Sequence, residues 1–91
     1  MKATMIDARD NVAVVLGEVK KGDPIFFVRA GETGEITAQG DIPPYHKVAC
    51  AFIPKGEPVV KYGEHIGLAA VDIPTGSHVH VHNVLSSREA L

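Results

Sequence analysis

Apolar residues come in short β-branched runs along this chain, cut at close intervals by glycine and proline. No segment keeps a 3.6-residue apolar period for three turns, so the pattern predicts strands and not helices. Strands are expected over residues 11–16, 25–29, 35–38, 47–52, 59–62, 67–71 and 78–83, with residues 30–34 as a hairpin loop. Weak helical character is confined to residues 86–91, too few to hold a helix alone. The expectation is one all-β domain over residues 1–91, with a weakly structured tail over 84–91.

Three segments of the chain fall into register when Gly22, Gly56 and Gly76 are aligned. Each has an apolar stretch, then Val19, Ile53 or Ile73, two turn residues and the glycine. Ile25, Val59 or Val79 follows three positions later. The branched residue anchors a strand end in the core, and glycine takes the positive-φ position that reverses the chain. Units this short do not build a solenoid. Hairpins folded over one another into a clip are the reading that remains.

Composition narrows the function. With 91 residues, 45% hydrophobic and 22% charged, the chain supports one modest core. An enzyme this small borrows surface from another subunit. A net charge of −2 with scattered basic residues excludes a generic nucleic-acid binder. The single cysteine, Cys50, excludes a disulfide framework within the chain and a cysteine-based zinc ribbon. No signal-peptide-like or membrane-spanning apolar run is present, so a cytoplasmic protein without a membrane partner is expected.

The candidate chemistry lies in histidine. Three of the five histidines stand in Ser77-His78-Val79-His80-Val81-His82-Asn83. Strict alternation on a strand places the imidazoles on one face and turns Val79 and Val81 to the core. Neighbouring imidazoles then sit about 6.6–7 Å apart and converge on one ion, while His78 and His82 are separated by about 13 Å. Two adjacent histidines are expected to bind metal, the third to act on substrate or support the ligands. Imidazole suits Fe(II), Mn(II) or Zn(II). A solvated edge strand is the competing explanation, but Lys or Glu blunts an edge better than a row of histidines. His46-Lys47 and Lys61-Tyr62-Gly63 add donors for carboxylate and hydroxyl oxygens.

These residues carry a resemblance. His46-Lys47-Val48-Ala49, Ile53-Pro54-Lys55-Gly56, Lys61-Tyr62-Gly63, Asp72-Ile73-Pro74-Thr75-Gly76 and His78-Val79-His80-Val81-His82-Asn83 resemble the SAF domain of altronate and galactarate dehydratases, as does Asp10-Asn11-Val12-Ala13-Val14. The resemblance implies a small β-clip fold and β-elimination from a sugar acid or a related hydroxy acid. It implies a divalent metal, Fe(II) or Mn(II), at His78, His80 and His82. It assigns catalysis to His80, His82 and Lys61, and substrate contact to His46, Lys47, Tyr62 and Asn83. The chain stops at Leu91, where the dehydratases continue into a larger catalytic domain. The expected arrangement is therefore split, similar to sulfolactate sulfo-lyase, with a large catalytic subunit as partner and an anionic sugar acid as substrate. Pro44-Tyr45-His46 departs from the family, which commonly has glycine before the histidine.

Two other readings compete. One is a non-catalytic SAF module that binds carbohydrate or protein; three aligned imidazoles speak against it. The other is a self-sufficient metalloenzyme of cupin type, disfavoured because no carboxylate stands at ligand spacing beside the histidines. Self-association of the domain is left open.

Overall fold

The computed structural model describes residues 1–86 and contains nine strands. They are β1 (Ala3–Thr4), β2 (Val12–Val15), β3 (Pro24–Arg29), β4 (Glu32–Thr37), β5 (Lys47–Ala49), β6 (Pro58–Lys61), β7 (Glu64–Ala69), β8 (His78–Val79) and β9 (Val84–Ser86). The domain is all-β, as the hydrophobic pattern predicts. Among the described residues no helix is long and apolar enough to cross a membrane.

A four-stranded sheet in the order β1-β2-β5-β8 forms the middle of the molecule. Ala13 pairs with Val48, and both enter a core with Val15, Val19, Ile25, Phe27 and Ile42. Val12 pairs with Ala49 one residue away, and both enter a second core with Ile53, Val59, Ile73 and Val79. Alternation thus buries both faces of this sheet, each under a hairpin. The β3–β4 hairpin covers one face and the β6–β7 hairpin, extended by β9, covers the other.

Four turns frame these layers, one more than the glycine alignment finds. Asp23, His46, Glu57 and Ser77 each donate a backbone N–H to the carbonyl three residues earlier, on Lys20, Pro43, Pro54 and Pro74. The third residue of each turn has positive φ: Gly22 at 91°, Tyr45 at 66°, Gly56 at 87° and Gly76 at 88°. A type II turn demands this conformation. The turns associate in equivalent pairs, Val19 exchanging backbone bonds with Ile42 and Ile53 with Ile73. Asp41 and Asp72 complete the likeness, accepting the amides of Lys21 and Lys55. A unit of strand, turn, hairpin and turn thus occurs twice, with β1 and β9 outside it. The copy at Ile42-Pro43-Pro44-Tyr45 escapes an alignment on glycine because tyrosine fills the glycine position.

Three boundaries differ from expectation. The β3–β4 connection is only Ala30-Gly31, both at positive φ, so β4 resumes at Glu32 within the expected loop. A two-residue connection of this kind matches strand twist. Residues 84–86 form β9 against β7, within the tail expected to be weakly structured. Of residues 86–91, on which the helical expectation falls, Ser86 ends β9 and the rest lie outside the described residues. The third difference concerns the histidine strand, which ends at Val79.

The turn glycines make a controlled test. A Cβ on Gly22 or Gly56 meets open space, whereas on Gly76 it collides with the carbonyl of Thr37. Gly22→Ala and Gly56→Ala are expected to cost about 1 kcal/mol each through backbone strain. Gly76→Ala should cost more than both together, because the turn must also move off β4. Thermal melts of the three variants compare them directly.

Candidate functional site

The register between β5 and β8 builds the site. Val48 lies opposite His78 and Lys47 opposite Val79. Extending that register by one residue sets His46 across from His80, and their rings stack with centroids 4.2 Å apart. His46 Nδ1 and His78 Nε2 are hydrogen-bonded at 2.8 Å. One ligand nitrogen from each of His46, His78 and His80 lies within 4.8 Å of the others.

This set overlaps the expected metal group of His78, His80 and His82 in two residues. His46 belongs to it and His82 does not, because the chain leaves the sheet after Val79. Asn83 donates its backbone N–H to His80 O, closing a turn over residues 80–83. Its side chain fixes that turn from inside, Oδ1 accepting from His80 N and Nδ2 donating to His78 O. Asn83 was expected to meet substrate. It is buried, and with both ends of its amide held by the backbone it shapes the histidine turn. The turn also folds His82 back, so its ring centroid is 5.1 Å from that of His78. Val81 projects from the tip with 82% exposure, not into the core as alternation predicts.

The site is electrostatically suited to neutral imidazole. Burial pushes His78 down to about 4, helped by the positive charge that His82, His46, His80 and Lys47 carry when protonated. His80 is lowered for the same reasons, burial first. Neutral imidazole is the form that binds a metal. Nδ1 of His80 is buried and has no hydrogen-bond partner among the described residues. Two ligands at about 2.1 Å and a right angle on one ion stand about 3.0 Å apart, so the 2.8 Å His46–His78 separation fits adjacent ligands. These residues fit a divalent ion.

Lys47 stands beside the group, and Lys61 is close enough to Lys47 to act on its charge. Burial lowers the Lys47 ammonium, and the charge of Lys61 lowers it further. The Lys61 ammonium lies 4.7 Å from the centre of the Tyr62 ring. Among the described residues neither lysine enters an ion pair. The Tyr62-Gly63 turn that positions Lys61 is tied down by Asp10, 2% exposed, which accepts the amides of Gly63, Asp7 and Ile6. Burial opposes ionisation of Asp10, but those amide bonds outweigh it and hold the carboxyl below its usual range. This explains Asp10-Asn11 at the start of β2 as a brace, with Asn11 bonded to Val60 N and Pro58 O.

Shallow clefts open around the histidines. His78 lines one of about 390 Å³ with Pro43, Pro44, Lys20 and Asp41. It shares a second, about 290 Å³, with His82 and Asp72. His80 and Lys47 line a third of about 170 Å³. The remaining histidine, His65, sits exposed on β7, outside the cluster.

Fold and site together define a small all-β domain that presents a three-imidazole cluster at the end of its central sheet. The chain belongs to the altronate/galactarate dehydratase SAF domain family, which matches residues 1–87. It is 40% identical over 83 residues to altronate dehydratase of Escherichia coli K12, covering 91% of this chain and 16% of that protein. It is 36% identical over 85 residues to the (2R)-sulfolactate sulfo-lyase subunit alpha of Chromohalobacter salexigens, covering 90% of each. The corresponding subunit of Paracoccus pantotrophus is 45% identical over 53 residues, covering 58% of this chain and 79% of that one. The chain thus spans about a sixth of the altronate dehydratases it matches (16% and 15% of their lengths) and nearly all of one sulfo-lyase subunit.

Proposed function

We propose that this chain is the small subunit of a cytoplasmic hydro-lyase, acting with a large catalytic subunit on a sugar acid or related hydroxy acid. The convergence of His46, His78 and His80 carries the reading. Its support comes from membership of the dehydratase SAF family and from an alpha-subunit relative of the same extent.

In this reading His46, His78 and His80 hold a divalent ion, Fe(II) or Mn(II). The ion supplies a Lewis acid for the substrate's carboxylate or departing hydroxyl. Lys47 and Lys61, which have no carboxylate partner among the described residues, receive the carboxylate or sulfonate of the substrate. Tyr62 offers a hydroxyl donor beside them. His82, outside the nitrogen set and exposed, moves protons at the site. Elimination takes the proton from the carbon next to the carboxylate and places its electron pair in a new carbon–carbon double bond. The hydroxyl leaves the neighbouring carbon with a proton, as water. A sulfonated substrate loses sulfite in its place.

Reconstitution with the large subunit tests this. The isolated chain should not turn over altronate, galactarate or sulfolactate, and the complex should turn over one of them. His80→Ala in the complex should lower kcat/KM by at least about 100-fold. An active complex indifferent to His80→Ala would leave the non-catalytic binding module as the better account.

A further inference from the structure

Tyr45 is the residue that the fold itself does not explain. Its equivalents in the other three turns are Gly22, Gly56 and Gly76. Left-handed backbone disfavours any residue with a Cβ, and a bulky aromatic is a marked outlier there. The Tyr45 side chain is 73% exposed, and no hydrogen bond, ring contact or ion pair holds it among the described residues. Tyr62, the other tyrosine at positive φ, at least carries the Lys61 ammonium on its ring. Strain that serves nothing inside a chain points to work done outside it.

The location says what kind of work. Tyr45 immediately precedes His46, and Val81 stands between His80 and His82. These are the two most exposed large apolar side chains among the described residues, and they flank the histidine cluster. Val81 borders the smallest of the three clefts around the histidines, but Tyr45 lines none of them and so is no wall of a small-molecule pocket. Exposed tyrosine is instead typical of protein–protein hot spots. The cluster is also unfinished, since it offers three imidazoles and no carboxylate. In altronate dehydratase the matching segment is 16% of the protein, and in the sulfo-lyase it is a subunit.

We propose that Tyr45 and Val81 are anchors that dock this chain onto the catalytic polypeptide completing the histidine site. The partner surface offers apolar pockets for the two side chains and the carboxylates that the cluster lacks. This rests on the small-subunit reading and assigns its interface.

The catalytic polypeptide is immobilised, and wild type, Tyr45→Gly, Val81→Ser and the double variant are titrated onto it. Tyr45→Gly should melt no lower than wild type, because glycine relieves the turn, yet bind at least about tenfold more weakly. The double variant should bind more weakly still, with Zn(II) affinity of the isolated chain unchanged. Wild-type binding by the double variant would overturn the interface and leave the proposed function standing. Failure of wild type itself to bind would overturn both. A dimer of this chain that Tyr45→Gly abolishes would overturn the interface in favour of self-association.

Discussion

Val79→Asp is expected to unfold the domain, while Val81→Asp, two residues along, leaves it folded. Val79 is fully buried in the core beneath the β6–β7 hairpin, beside Ala49, Val59 and Ile73. A carboxylate there has no cationic partner within the apolar cluster and must either desolvate or take up a proton. Such a change costs about 4 kcal/mol or more, against a total stability of about 5–10 kcal/mol for a chain of this size. Val81 caps the exposed tip of the histidine turn, where a charge remains in water. Circular dichroism and a thermal melt distinguish the two. Strict alternation predicts identical loss in both variants, so a folded Val81→Asp and an unfolded Val79→Asp would confirm that the strand stops at Val79.

That difference shows where sequence reasoning reaches and where it stops. The anchors Val19, Ile53, Ile73, Ile25, Val59 and Val79 are all buried, and all three aligned glycines have positive φ. Those features follow from local chemistry, because a β-branched residue before a two-residue turn and glycine carries its conformation with it. The fourth turn was legible too, in the spacing of Ile42, Pro43 and Val48, but tyrosine in the left-handed position hid it. What alternation cannot reveal is that both faces of the central sheet are buried. His78 shares its face with Val48, at the edge of one core, and Val79 faces the other. Asn83 captures the backbone at His78 and His80, where the chain leaves the sheet and turns. Asn83 is in the motif, but its role depends on burial, which no pattern of residue types states. His46 likewise joins the cluster through cross-strand register, thirty-two residues from His78 in sequence.

Register therefore makes the sharpest prediction about metal. Titrated with Mn(II) or Zn(II) in a calorimeter at neutral pH, the wild-type chain should take up one ion. His46→Ala, His78→Ala and His80→Ala should each weaken binding by at least about 10–100-fold, since each removes one of three converging nitrogens. His82→Ala should stay within about threefold of wild type, because its ring flanks His78 without entering the nitrogen set. His65→Ala, out on β7, serves as the neutral control. Folding should survive every one of these changes, for none of the side chains belongs to either core. The informative comparison is His46→Ala with His82→Ala. An extended strand makes His82 a candidate ligand and leaves His46 aside; the β5–β8 pairing reverses them. Loss of binding in His82→Ala with none in His46→Ala would return the site to the linear row and discard the cross-strand cluster.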